Sequence, residues 1–439
     1  MKRAITRRRF LQAAGTSAAG FYLTGFAATP QRRKISANEK LNLGVIGVSG
    51  RGGDNLKEVG ALENIVALCD VDARRLAAAA KLFPAAKTYA DFRRLIDQPD
   101  IDAIVVSTPD HTHAVATAAA LRSGRHVYCE KPLTHTISEA RIITELAEKH
   151  KAVTQIGTQI HAGGNYRRVV ELVQSGAVGP IREVHVWVAA TYGGSGRPKE
   201  TPPVPPDLNW DLWLGPRPFE PYHPEIAHFK WRHWWSFGGG ALADFGCHFM
   251  DLPYWALALK YPASVEPIDA PPVHPESAPP WLIVRYEFPA PAQRNSAFGK
   301  PSLPLTWYHG GRQPALLSDD LKQKWKSGVL FVGEDGWILS DYGRHLLLPE
   351  EKFKEFKRPE PFIPDSIGHH REWTQAIKTD GKTTCPFSYS GPLTETALLG
   401  NVAYRVSQKI EWDAAGVRAR NCPQAEPFIQ HHYREGWKL

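Results

Sequence analysis

The chain of 439 residues is 43% hydrophobic and 22% charged, the composition of an ordinary globular protein with length enough for two or three domains. Its formal charge of +8 belongs to the first 40 residues, which hold nine Lys or Arg and one Glu; of the 53 basic and 45 acidic residues that leaves 44 of each, with no basic tract for a nucleic-acid partner. Five cysteines (Cys69, Cys129, Cys247, Cys385 and Cys422) stand far apart, fit no zinc or redox spacing, and read as buried small side chains, although Cys247 lies beside His248.

"TRRRFLQ", Thr6 to Gln12, matches a twin-arginine export pattern and precedes the weakly apolar run Ala13 to Ala28. That run is too rich in Ala, Gly, Ser and Thr for a spanning helix, so residues 1–40 read as a Tat-type signal and linker, with an uncleaved anchor as the second reading. The expected location is periplasmic or otherwise exported, with the Tat machinery as a partner and no stable membrane span.

"LNLGVIGVSGRGG" (Leu41 to Gly53) is an apolar run ending in glycines, followed by a helical stretch and a second apolar run, "NIVALCD", ending at Asp70. Strand, glycine turn, helix and strand within about thirty residues make a dinucleotide-binding unit. In the G-x-G-x-x-G register the turn reads Gly47, Ser49, Gly52; the middle glycine is replaced by a small residue with Gly50 beside it. Asp70, about 20 residues beyond the turn, suits the ribose hydroxyls of NAD and repels a 2′-phosphate, while Arg74 and Arg75 nearby keep NADP open.

The layout repeats in "IDAIVVSTPDHTHA" (Ile101 to Ala114) and "HVYCEKPLT" (His126 to Thr134). Ligands of open parallel sheets gather at the carboxyl ends of strands, which puts Thr108, Pro109, Asp110, His111 and His113 at one end and Glu130 and Lys131 at the next. His111-x-His113 as metal ligands is the weaker reading, because no further Cys or His lies close in sequence, and no metal is expected.

Beyond residue 160, "IREVHVWVAA" (Ile181 to Ala190), "WLIVRYEF" (Trp281 to Phe288), "PLTWYHG" (Pro304 to Gly310) and "GVLFVGEDGWIL" (Gly328 to Leu339) read as β-rich. The proline-rich stretches Ala270 to Pro280 and Pro289 to Pro304 read as loops between strands. "FKWRHWWSF" (Phe229 to Phe237) holds five Phe or Trp and one His in nine residues, suited either to core or to a wall against a sugar ring. "GGGALADFGCHFMD" (Gly238 to Asp251) sets Asp244, His248 and Asp251 at i, i+4 and i+7, one face of a helix; a solvated stripe, a metal site and an acid/base pair all fit.

With "TPDHTHA", "EKP" at Glu130 to Pro132, "NWDLWLGP" (Asn209 to Pro216), "GHHREW" (Gly368 to Trp373) and "GPLTETALLGNVAYR" (Gly391 to Arg405), the chain resembles the Gfo/Idh/MocA oxidoreductases, in the manner of exported bacterial members. The resemblance implies an α/β N-terminal Rossmann domain (residues 41–160) and a C-terminal domain (161–439) for substrate and oligomerisation, built on a large open, mostly antiparallel sheet, whose last segment packs back on the Rossmann domain. It also implies an NAD site, tightly held, at Gly47 to Gly52, Asp70, Thr108 to His113, Glu130 and Lys131, with Trp231 and Arg232 near the cofactor and a Lys131–Pro132 bond that is often cis. Lys131 then faces Asp244 and His248 at the nicotinamide, while Asp251 has no assured role. A homodimer or tetramer is expected.

The implied activity is hydride exchange between bound nicotinamide and a secondary alcohol of a sugar or polyol, with His248 as base, Lys131 holding the substrate oxygen, and Asp244 orienting the imidazole or binding an adjacent hydroxyl. An exported enzyme without a nicotinamide pool favours a redox-neutral cycle. The alternatives are an NAD-dependent glycosidase or lyase acting through transient oxidation, and a non-catalytic sugar-binding relative with a vestigial nucleotide site.

Overall fold

The structure, a computed structural model, describes Arg33, residues 35–289 and residues 302–439. The export pattern and the run Ala13 to Ala28 lie outside them.

Strands β1 (Asn42–Ile46), β2 (Asn64–Cys69), β3 (Lys87–Tyr89), β4 (Ala103–Val106), β5 (His126–Cys129) and β6 (Thr154–Ile156) form a parallel sheet in the order β3-β2-β1-β4-β5-β6. Helices α1 (Arg51–Gly60), α2 (Ala73–Leu82), α3 (Phe92–Ile96), α4 (Asp110–Arg122) and α5 (Ile137–Lys149) connect them. Every residue of β4 and β5 is buried, as continuous apolar runs require when helices cover both faces of a sheet. Local chemistry sets the helix starts: the Asp72 carboxylate caps α2, and Thr136 with Glu139 forms a reciprocal capping box on α5.

The rest of the chain runs through α6 (Gly164–Gln174), β7 (Ile181–Val188), α7 (Trp210–Leu214), α8 (Gly240–Phe249), α9 (Asp251–Ala256), β8 (Ser264–Asp269), β9 (Leu282–Pro289) and β10 (Ser302–His309). It continues through α10 (Asp319–Lys324), β11 (Gly328–Gly333), β12 (Trp337–Ser340), β13 (His345–Leu348), α11 (His369–Lys378), α12 (Phe387–Val406), β14 (Ile410–Asp413), β15 (Arg418–Ala419) and α13 (Glu426–Ile429). Nine strands join in the order β13-β12-β11-β7-β10-β9-β8-β14-β15, antiparallel except for the parallel β7–β10 pair. The fold is thus a Rossmann sheet followed by a mixed, mostly antiparallel one. Some details differ from the sequence reading, which also named no strand at β13, β14 or β15. Strand β10 starts at Ser302, so that Pro304, expected at a loop boundary, pairs with Glu287 inside the ladder; and β8 forms from "SVEPID", where no strand was expected.

The last helices return to the first sheet. Trp373 and Ile377 of α11 join the core on the face covered by α1 and α2, while Cys385 and Phe387, at the start of α12, join the core on the face covered by α4 and α5. The length of α12 then continues into the core of the second sheet through Leu393, Ala397 and Leu399. Each such fully buried aliphatic side chain contributes about 1.5–3 kcal/mol, so this one helix binds the two halves together. No helix among the described residues is long and apolar enough to cross a membrane.

A further segment, residues 205–237, folds on its own cluster of Leu208, Trp210, Trp213, Trp231, Trp234 and Phe237 and crosses to the end of β2. There Asn209 N donates to Val71 O at 2.9 Å, and Ala73 N donates to Asp207 O at 2.8 Å.

Candidate active site

A cavity of about 600 Å³ opens at the carboxyl ends of β1, β2, β4 and β5, and the 205–237 segment and α8 form its other walls. It lies at the β1/β4 boundary, where the strand order reverses and open α/β sheets bind ligands.

The glycine turn forms its floor. Gly47 has φ +83°, and a Cβ on Gly52 would stand 2.1 Å from the Gly47 carbonyl oxygen, so Gly52 works from beneath the turn by letting α1 close on β1. Ser49, in the place of the middle glycine, and Gly50 line the cavity, and it is Gly50, at φ +56°, that takes the backbone conformation a side chain resists. Asp70 also lines the cavity; its oxygens accept from Val48 N at 3.1 Å and Asp72 N at 3.0 Å, and each keeps a lone pair for a hydroxyl. Burial raises the Asp70 carboxyl above its ordinary value against those two bonds. Arg75 and His228 belong both to this cavity and to a second one of about 600 Å³ between α1 and α2, while Arg74 lines the second alone.

At the next strand end Thr108, Pro109 and His113 line the cavity. Thr108 Oγ1 is buried without a hydrogen-bond partner, as a wall built to meet a polar ligand would be. His113 spans the Thr108 and Pro132 carbonyls at 2.7 and 2.8 Å, joining the β4 loop to the cis Lys131–Pro132 peptide. His111 departs from its expected role as a cofactor contact. It is 1% exposed, lies outside the cavity lining, bonds Trp213 O at 2.8 Å, and packs between Trp213 and Phe237, so it fastens the 205–237 segment to α4. Burial pushes its imidazole down to about 3, leaving it neutral. Glu130 reaches the cavity wall, but its Oε1 already accepts from Asn55, Gln159 and Arg51 at 2.9, 2.8 and 3.2 Å; its part is to tie α1 to the end of β6.

At the far end Lys131 Nζ donates to Asp244 Oδ1 at 2.5 Å and to its main-chain oxygen at 2.8 Å. Asp244 also accepts from Arg232 Nε at 3.2 Å and Tyr192 OH at 3.0 Å. Burial works to raise the Asp244 carboxyl, yet the charges of Lys131 and then Arg232 hold it well below the usual carboxylate range. With its oxygens so engaged, Asp244 anchors the lysine rather than orienting the imidazole, a correction to the expected role. His248 follows one turn later on α8 and lines the same cavity; its Nδ1 is buried without a partner, which leaves Nε2 as the nitrogen toward the cavity. Nor is this imidazole poised near neutral pH: burial, then the Lys131 charge, pushes it down to about 3.

Asp251 does not continue the stripe. The helix breaks at Met250, and Asp251 turns into the interior, fully buried, where it meets both His161 Nδ1 at 3.0 Å and Tyr389 OH at 2.7 Å. Cys247 is likewise buried, beside Thr394 at 3.6 Å, and its thiol is pushed up to about 12 by that burial. Of "FKWRHWWSF", Phe229, Trp231 and Arg232 line the cavity, with the Arg232 guanidinium stacked 4.1 Å from the Trp231 ring, whereas Trp234, Trp235 and Phe237 are core. The sequence reading missed Tyr192, Gln159, Trp213 and Phe245 as wall residues. Trp213 and Phe245 lay in singled-out motifs without being assigned to the wall; Tyr192 sits in an irregular segment after β7 that carries no local signal.

Comparison with known proteins agrees with this architecture. Residues 41–158 match the GFO_IDH_MocA oxidoreductase family, NAD-binding Rossmann fold, and residues 164–294 match its C-terminal alpha/beta domain. An inositol 2-dehydrogenase of Salmonella typhimurium (strain LT2) is 31% identical over 151 residues, 33% of this chain and 45% of that protein. A glycosyl hydrolase family 109 protein of Shewanella pealeana is 27% identical over 202 residues, 40% of this chain and 44% of that protein. The matched stretch is therefore less than half the length of either relative. Among solved structures, the WlbA dehydrogenase from Bordetella pertussis in complex with NADH and UDP-GlcNAcA has TM-score 0.60 at 18% identity, covering 85% of this chain and 99% of that one. The aldose-aldose oxidoreductase from Caulobacter crescentus complexed with glycerol has TM-score 0.54 at 17% identity, covering 85% of this chain and 100% of that one. At these identities the likeness is one of fold.

Proposed function

The chain belongs to the Gfo/Idh/MocA oxidoreductase family, and from that premise we propose that it is a nicotinamide-dependent enzyme acting on a secondary alcohol of a sugar or polyol. The observation that carries the reading is the Lys131–Asp244 contact at 2.5 Å, one helical turn from His248, in a cavity that begins at Asp70. The residues present fit the cofactor: the Gly47 to Gly52 turn admits a close backbone approach, Asp70 offers acceptors to a ribose, and Thr108 supplies an orphaned hydroxyl. When bound, nicotinamide supplies the acceptor and donor of hydride.

The protein's own groups do the rest. Lys131, held by Asp244, presents its ammonium to the substrate oxygen and lowers the cost of an alkoxide there. His248 Nε2, neutral because of burial and the neighbouring cation, accepts the hydroxyl proton and later returns it. Trp231 and Phe245 offer apolar faces to a sugar ring. NAD is the expected cofactor, because Asp70 would accept from its ribose hydroxyls; retention through turnover is expected, because the 205–237 segment crosses to the end of β2 beside Asp70. Retention and export together favour a cycle in which the cofactor is re-formed in place, one alcohol being oxidised as one carbonyl is reduced.

The test is to replace Lys131 and His248 singly by Ala and follow turnover on monosaccharides and inositols with the co-purified nucleotide. Each change is expected to cut turnover by about 10²-fold or more while nucleotide content persists; normal turnover in both variants overturns the assignment. The similarity to a glycosyl hydrolase family 109 protein favours a second reading, bond cleavage through transient oxidation. Release of an aryl glycoside's phenol without net NADH would select it.

A further inference from the structure

Asp110 opens α4 at the end of β4, between the Asp70 end of the cavity and the Lys131 end. It is 3% exposed, and that remnant of surface faces the cavity, which it lines. Every other acidic group in the cavity wall has a partner: Asp244 takes Lys131, Arg232 and Tyr192, Glu130 takes three side-chain donors, Asp91 takes Arg93, and Asp70 takes two main-chain amides. The Asp110 carboxyl forms no hydrogen bond or ion pair with any other side chain among the described residues. Nearby Arg232 and Lys131 are already bound to Asp244; their charges favour an ionised Asp110, but burial outweighs them and raises its carboxyl well above the ordinary value. A buried carboxyl left without a cation, on the wall of a ligand cavity and at a helix start that favours negative charge, calls for a cation from the ligand.

We propose that the Asp110 carboxylate is the counter-ion of the oxidised nicotinamide ring, so that this site holds the oxidised cofactor in preference to the reduced one. The inference rests on the nicotinamide reading above. The oxidised ring carries a delocalised positive charge and the reduced ring none, which is the difference a carboxylate can read. Burial disfavours the ionised form of Asp110 and a cationic ring favours it, so the preference grows as pH rises. The other groups facing it do not supply that dependence. Asp244 on α8 is held ionised by Lys131 and Arg232, and burial pushes up the thiols of Cys247 on α8 and Cys129 on β5. Lys131, after β5, is fixed on Asp244.

Purified full-length protein and an Asp110→Asn variant are dialysed at pH 8 against equimolar NAD+ and NADH, then denatured, and the two retained forms are quantified by absorbance. The oxidised-to-reduced ratio is expected to fall about tenfold in the variant with total nucleotide unchanged; an equal ratio overturns the proposal. In wild-type protein alone, dialysed from pH 6 to pH 9, the ratio is expected to rise with pH, and a flat ratio overturns the proposal even if the variant fails to fold. Retention of neither form by the wild type overturns the nicotinamide reading itself, a result distinct from an unchanged ratio.

Discussion

If Lys131 and Asp244 form the contact described, their removal must be non-additive. Lys131→Met deletes an ammonium 2.5 Å from a carboxylate whose side chain is only 10% exposed. Breaking a buried pair from one side costs about 3–5 kcal/mol. Because Arg232 Nε stays at 3.2 Å from the same oxygen, the single change is expected at or just below the low end of that range, about 2–3 kcal/mol. Asp244→Leu is the worse single change, since it leaves Lys131 and Arg232 as adjacent unpaired cations. The double variant loses both partners at once, and the coupling energy of the cycle is expected to be about 2 kcal/mol. Urea unfolding of the four proteins at pH 7.5 measures it. The sign of the pH dependence follows from the lowered Asp244 carboxyl: its stabilisation is complete above the unfolded value of about 3.9 and is lost only as pH falls below that, through the folded value. The coupling at pH 5.5 should therefore equal that at pH 7.5. A coupling energy under about 0.5 kcal/mol at both pH values refutes the convergence of the two halves on one site.

Gly52→Ala places a Cβ 2.1 Å from the Gly47 oxygen; α1 must shift, and the expected result is at least a tenfold loss of retained nucleotide with about 1–3 kcal/mol of stability, read by absorbance after gel filtration and by thermal unfolding. His111, held neutral with its imidazole at about 3 against about 6.5 unfolded, contributes stability that is present above pH 6.5 and lost on acidification, about 2 kcal/mol by pH 5. In His111→Gln the difference in unfolding free energy between pH 8 and pH 5 should shrink by that amount; the same difference in both proteins would contradict the buried, neutral assignment.

The first sheet is legible in sequence because its signals are local: apolar runs such as Ala103 to Val106 announce buried parallel strands, and the spacing from Gly47 to Asp70 is set within one strand-helix-strand unit. The strands at Ile181 and Leu282 are legible for the same reason. What escapes is whatever depends on a distant neighbour. The i, i+4, i+7 spacing of Asp244, His248 and Asp251 assumes an unbroken helix, whereas the break at Met250 sends Asp251 to His161 and Tyr389. Sequence chemistry made His111 a plausible ligand contact, but the arrival of Trp213 from 102 residues away turned it into a fastening. In "FKWRHWWSF" aromatic content could not tell wall from core, since that depends on which side of the 205–237 fold each ring leaves. Tyr192 reaches Asp244 across 52 residues from a segment with no regular structure.

One hydroxyl links these distant pieces. Thr394 Oγ1 on α12 accepts from Leu133 N at 3.3 Å, two residues past Lys131, and lies 3.6 Å from Cys247 Sγ, between Asp244 and His248. Lobes that swing apart about a hinge would have to part α12 from one of the two cores it joins, so the shared wall of Lys131 and His248 is only as steady as that one helix.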